Sequence, residues 1–193
     1  MATGYSILYV DDDTTLLEIA KMFLERSEDF TVTTAISAAE GLRLLKGGTF
    51  DAIISDYQMP QTNGIEFLKI VRETYGNIPF ILFTGKGREE IVIQALNEGA
   101  DFYLQKGGDP KAQFAELTHK VKSAVNHHQA ADNLNKSRHL VTTILESSPD
   151  LVYIYDLNER RNIYVNREIA VFLGFTQEQI NGFPVVRDNF TSR

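Results

Sequence analysis

The chain is predicted from its residues to be an α/β protein. It would be built on a five-stranded parallel (βα)5 sheet, followed by a long helix and a smaller α+β segment. Two observations carry this. Short apolar runs alternate with stretches of helical spacing five times before residue 110, and the runs are continuously apolar rather than alternating. That pattern belongs to strands buried on both faces of a parallel sheet. The strand ends are the third signal, because they close on Asp11-Asp12-Asp13, Asp56, Thr84 and Lys106. In such sheets the working site lies beyond the carboxyl ends of the strands, where the chain order reverses.

Ser6 to Val10 is the first buried strand, bounded at its far end by three acids. One of those acids caps the helix starting near Thr14, and Leu16, Leu17, Ile19, Ala20, Phe23 and Leu24 give it an apolar face over about three turns. Phe30 to Ala35 is rich in β-branched residues and reads as the second strand. Ser37 then caps a helix with Glu40 as the box partner, Leu42, Leu44 and Leu45 as its buried stripe, and Gly47-Gly48 as its stop. Asp51 to Asp56 is the third strand, and Tyr57 to Gly64 a loop by composition. Ile65 to Tyr75 returns to helical spacing, Pro79 to Thr84 is the fourth strand, and Gly85-Lys86-Gly87 a turn. A helix from Glu89 to Asn97 ends at Gly99; Asp101 to Lys106 is the fifth strand, and Gly107 to Pro110 leads into the long helix.

Capping needs one acid, and three stand after the first strand. Carboxylates gathered at a buried strand end repel one another and lose solvation unless something positive balances them. Carboxylates converging from two strand ends, Asp11, Asp12 and Asp13 from one and Asp56 from the other, suit a hard oxygen-liganded cation such as Mg²⁺. With a cation there, one carboxylate could attack a phosphoryl group while Thr84 and Lys106 hold its oxygens.

Four stretches carry a resemblance: Val10-Asp-Asp, Ser55-Asp-Tyr-Gln-Met-Pro with Gly64, Phe83-Thr-Gly, and Gly99-Ala-Asp-Phe-Tyr-Leu-Gln-Lys. Through them residues 5–126 resemble the receiver domain of two-component response regulators. The resemblance implies the flavodoxin-like strand order 2-1-3-4-5. It implies Asp56 as phosphoacceptor and Mg²⁺ held by Asp11, Asp12, Asp56 and the backbone carbonyl of Gln58. Thr84 and Lys106 would contact the phosphoryl group, Thr84 and Tyr103 would form the switch, and Gln58 and Lys86 would tune the phosphoryl lifetime. The phosphodonor would be a histidine kinase or a phosphotransfer protein, with no catalytic activity expected beyond assistance to that transfer. One departure is visible: Gly107-Gly108 follows Lys106 where the family usually has Pro, which makes the loop after the lysine more flexible.

Asp11-Asp12-Asp13-Thr14-Thr15 also fits Asp-x-Asp-x-Thr, the signature of haloacid-dehalogenase-like phosphatases. There Asp11 would be the nucleophile and Asp13 the general acid. That reading needs a further acid pair after the lysine, where only Asp109 stands, and it leaves Asp56 and the Met59-Pro60 to Gly64 loop without a role.

At 193 residues the chain holds one ordinary domain and part of a second. Its net charge of -7, without a basic stripe, argues against a nucleic-acid-binding surface. Cysteine is absent, which excludes disulfides and thiolate chemistry. The first residues show no signal peptide and no apolar run nears the ~20 residues of a spanning helix, so a soluble cytoplasmic protein is expected.

Phe114, Leu117, Val121, Ala124 and Val125 form a helical face that can pack on the sheet. No Pro or Gly interrupts the chain from Lys111 to Ser148, so the helix should run on. Ala131, Leu134, Val141, Ile144 and Leu145 then keep three- and four-residue spacing, but the seam shifts through the polar stretch Asn133 to Arg138; a homodimeric coiled coil through 111–147 and an amphipathic linker both fit. His119, His127, His128 and His139 lack the spacing of a metal site and read as solvated helix residues. After Pro149, Leu151 to Asp156 and Asn162 to Asn166 read as paired strands, followed by helices over 167–173 and 176–180. The Ile-Leu-Glu-Ser-Ser-Pro-Asp lead-in, Tyr-Val-Asn, Phe-Leu-Gly-Phe-Thr and Ile-Asn-Gly resemble the opening of a PAS domain. The expected division is receiver 1–126, helical linker 127–146 and partial PAS domain 147–193. Such a chain suits either a phosphorylated signalling protein or the front of a larger receiver–PAS sensor histidine kinase.

Overall fold

The computed structural model describes residues 4–26, 28–85, 89–148, 152–166 and 174. Its elements run β1 (Tyr5–Val10), α1 (Thr14–Glu25), β2 (Phe30–Ala35), α2 (Ala38–Gly47), β3 (Ala52–Ser55) and α3 (Gly64–Tyr75). They continue with β4 (Phe80–Thr84), α4 (Glu89–Asn97), β5 (Phe102–Gln105), α5 (Pro110–Ser147), β6 (Tyr153–Asp156) and β7 (Arg161–Val165). The first five strands form one parallel sheet in the order β2-β1-β3-β4-β5. Chain order therefore reverses between β1 and β3, and the site is to be sought beyond their carboxyl ends.

Alternation along β1 explains the two-sided core. Ile7 and Tyr9 face a cluster completed by Leu17 of α1 and by Phe114, Leu117 and Val121 of α5. Leu8 and Val10 face the opposite cluster, with Leu45 of α2, Phe67 and Leu68 of α3 and Ala95 of α4. Four consecutive buried residues in β1, and four of four in β3, account for apolar runs without polar alternation. The five residues predicted as the packing face of α5 are its buried ones.

The helix starts follow their side chains. Asp13 caps α1, accepting from the Thr15 and Leu16 amides at 2.9 and 3.1 Å. Asn63 and Glu66 make a reciprocal capping box on α3. The box predicted at Ser37 is displaced: Ser37 Oγ accepts from the Glu40 amide, but the Glu40 carboxylate takes the Ile36 amide, one residue before the cap.

Two compact units divide the chain at Ala131 and Asp132. In the second, β6 and β7 pair antiparallel with a register shift between Ile154 and Tyr155. Asp156 Oδ1 accepts from the Asn158 and Glu159 amides and shapes the turn between them. Asn166, buried after β7, donates from Nδ2 to the Leu145 carbonyl in the last turn of α5. The helices predicted over 167–173 and 176–180 lie outside the described residues.

Candidate phosphoacceptor site

The sheet ladder delivers the site residues one position past each strand. The Asp11 amide donates to Ala35 O at 3.0 Å, the Asp56 amide to Val10 O at 2.8 Å, and the Lys106 amide to Thr84 O at 2.8 Å. Three side chains predicted from separate strand ends are thereby brought together. Lys106 Nζ lies 2.6 Å from Asp11 Oδ2 and 2.8 Å from Asp56 Oδ1. To get there it crosses β4, passing 5.8 Å from the centre of the Phe83 ring. Gly107 and Gly108 follow at φ 141° and 84°, backbone that glycine adopts without strain. The Gln113 side chain, in the first turn of α5, donates to the Gln105 and Gly107 carbonyls at 3.4 Å.

The acids divide by burial. Asp11 and Asp56 are 1% and 5% exposed, whereas Asp12 is exposed. One carboxylate oxygen from each of the three lies within 4.8 Å of the others, in a cleft of about 750 Å³. Burial pushes the Asp11 carboxyl above its ordinary range, and Lys106 pulls the other way without cancelling it. Asp11 Oδ1 accepts from the Asp13 amide at 3.1 Å, and Oδ2 from the Tyr9 hydroxyl at 3.3 Å. Burial first, then the adjacent Asp11 charge, keeps that hydroxyl protonated far above the usual tyrosine range. Asp56 Oδ2 accepts from the Gln58 amide at 2.6 Å. Among the described residues the donor set is all carboxylate oxygen, partly desolvated and offset by the Lys106 ammonium, which fits a hard divalent cation.

The other predicted residues fall as follows. Thr84 lines the cleft, and its buried Oγ1 has no hydrogen-bond partner among the described residues. The Tyr103 hydroxyl is likewise buried and unpartnered, and is pushed upward by burial and then by the Asp56 charge. Gln58 borders the cleft with an exposed side chain. Lys86 lies outside the described residues. Asp13, the general acid of the phosphatase pattern, has Oδ1 committed to the cap of α1. His119, His127 and His139 are exposed and His128 half-buried.

One contributor was not foreseen, and a second lacked its physical reason. Tyr9 reads in sequence as core, although its position two before Asp11 places both on one face of β1. Gly64 was foreseen as a motif position without its reason: a Cβ there would lie 2.2 Å from the Asp56 carbonyl oxygen.

A model of the response regulator receiver domain matches residues 7–122. The chain belongs to the response regulator receiver family. Receivers of this family accept phosphoryl groups from histidine kinases, and the Asp11, Asp12 and Asp56 triad is of the kind that holds their Mg²⁺. A PAS domain model matches residues 139–192, so a PAS domain follows the receiver, with the long helix between. Among solved structures, this chain is similar to a receiver domain protein from Clostridium thermocellum (30% identity, TM-score 0.60, 66% of this chain and 98% of that one). It is also similar to a CheY-like receiver from Methanospirillum hungatei JF-1 (30% identity, TM-score 0.57, 65% and 99%). Curated relatives include the uncharacterized transcriptional regulatory protein YcbL of Bacillus subtilis, 34% identical over 61% of this chain and 50% of that protein. The response regulator SaeR of Staphylococcus aureus is 32% identical over 67% of this chain and 56% of its own length. The chain thus spans about half the length of these curated relatives. No described helix is long and apolar enough to cross a membrane.

Proposed function

We propose that the receiver accepts a phosphoryl group on Asp56 from a histidine kinase or phosphotransfer protein, and that the change passes along α5 to the PAS domain. The observation that carries this reading is the Lys106 ammonium shared between Asp11 and Asp56 beside an exposed third carboxylate. Asp11, Asp12, Asp56 and the Gln58 carbonyl would hold Mg²⁺, which when bound supplies positive charge against the phosphoryl oxygens. An Asp56 carboxylate oxygen bonds to phosphorus as the donor's P–N bond breaks. Lys106 and Thr84 hold the phosphoryl oxygens, a role that suits a buried Thr84 hydroxyl without a partner among the described residues. No further catalytic activity is assigned to the receiver.

Phosphorylation replaces the Asp56 carboxylate charge with a phosphoryl group carrying about -1.5 to -2 charge and three acceptor oxygens, enough to bias a two-state element nearby. In this reading Thr84 moves toward the phosphoryl group and Tyr103 takes its inward position. The Tyr103 hydroxyl is already buried here, so the switch requires that an outward position also be populated. Gln58 and Lys86 tune the phosphoryl lifetime. The receiver spans 1–126, the linker 127–146 and the PAS part 147–193, in a protein that works in the cytoplasm. Leu134, Leu140, Val141 and Ile144 are 52–60% exposed on α5 and form the contact of a homodimer. The same order of domains suits the front of a longer sensor kinase, and a kinase core downstream in the gene decides between the two. Acid-quenched labelling with acetyl phosphate, followed by peptide mapping, tests the site: label belongs on Asp56, and label on Asp11 would transfer the chain to the phosphatase reading.

A further inference from the structure

We propose that Tyr9 is a positioning residue for Asp11, holding that carboxylate for the metal from inside the core. This rests on the receiver reading above. The Tyr9 residue is fully buried, in the cluster where α1 and α5 cover the sheet. Its ring is 6.5 Å from that of Phe83, centre to centre, at 49°. The site-facing hydroxyl is the feature that packing does not need, since phenylalanine would fill nearly the same volume. A buried hydroxyl in apolar surroundings is costly unless it is hydrogen-bonded. Its partner is Asp11 Oδ2 at 3.3 Å, long for an O–H···O bond and open to tightening.

Among the described residues three donors hold the Asp11 carboxylate: the Asp13 amide on Oδ1, and Lys106 Nζ and the Tyr9 hydroxyl on Oδ2. Lys106 is claimed by the phosphoryl group during transfer. The Asp13 amide and the Tyr9 hydroxyl then remain, and the hydroxyl is anchored by a ring that the core fixes. A donor that orients a metal-binding carboxylate from behind typically contributes 10- to 100-fold in metal affinity.

The test uses the full chain and MgCl₂ as the probe. Tyr9→Phe should raise the Mg²⁺ Kd by about tenfold in calorimetric titration. Labelling by acetyl phosphate should fall at limiting Mg²⁺ and recover at saturating Mg²⁺. A purely structural tyrosine would instead change thermal stability in EDTA and leave the Kd alone. A Kd within twofold of wild type overturns the assignment while leaving the receiver reading intact. A wild-type chain that gives no Mg²⁺ signal overturns both. Should Tyr9→Phe fail to fold, wild-type protein with ¹³C-labelled tyrosine decides: the Tyr9 Cζ resonance must move on Mg²⁺ addition, and an unmoved resonance at saturation overturns the proposal.

Discussion

The Lys106 ammonium lies 2.8 Å from Asp56 Oδ1 although β4 separates their strands in the sheet. One cation thus spans the width of the site and meets Asp11 on its far side. Removing it would leave two buried carboxylates facing each other, and uncompensated buried charge costs about 3 kcal/mol. Lys106→Met should therefore lower stability by about that amount in EDTA at neutral pH, measured by urea unfolding. Saturating Mg²⁺ should restore most of the loss.

Burial raises the Asp11 carboxyl, and the sign of the consequence can be worked out. Between the ordinary value of 3.8 and the raised folded one, the folded state binds more protons than the unfolded state. Stability without metal then rises as pH falls through that window. Asp11→Asn should accordingly stabilise the chain at neutral pH in EDTA, by on the order of 1 kcal/mol or about 2–4 °C in Tm. That gain should shrink as the pH drops through the window, and Mg²⁺ should no longer raise the Tm of the variant.

Gly64 stands where the first turn of α3 meets the Asp56 carbonyl, with its amide donating to Tyr57 O at 2.9 Å. Gly64→Ala forces the 57–63 loop away from the acceptor. A loss of about 2–3 kcal/mol is expected, together with slower labelling of Asp56. Unchanged labelling kinetics would show that this loop does not set the geometry of the site.

Arg72 works at the other end of the strands. Its guanidinium donates to the Gly76, Ile78 and Gly99 carbonyls and to Asp101, which also accepts from the Phe80 amide at 2.8 Å. Arg72→Ala should cost about 3 kcal/mol, because several carbonyls lose a charged donor together. Labelling of Asp56 in the surviving folded fraction should keep its wild-type rate.

The exposed face of α5 predicts a dimer. Val141→Glu with Ile144→Glu in the full chain should halve the mass seen by light scattering, since paired carboxylates cannot be buried in a helical seam. An unchanged mass would remove the homodimer from the account.

What the residues disclosed in advance follows their physics. Buried parallel strands announce themselves by unbroken apolar runs, and so Ala52 to Ser55 and Phe80 to Thr84 were legible without any contact information. A cap for α1 among Asp11, Asp12 and Asp13 was legible because capping is local, and the structure gives it to Asp13. Long-range choices were not. Nothing in the sequence tells that Lys106 reaches across Phe83 to Asp11, or that Arg72 turns onto four backbone and carboxylate acceptors rather than into solvent. Tyr9 was hidden by its own bulk, since an aromatic inside an apolar strand reads as core; counting two residues on to Asp11 would have exposed it. The displaced box at Ser37 turns on which amide the Glu40 side chain meets, a matter of a single residue.

In the proposed function Asp56 carries the chemistry while Asp11 and Asp12 hold the metal. The most direct test is acetyl phosphate labelling of wild type and Asp56→Asn, each with Mg²⁺ and with EDTA. Mg²⁺-dependent label is expected on wild type and none on Asp56→Asn. Equal labelling of the two would contradict this assignment.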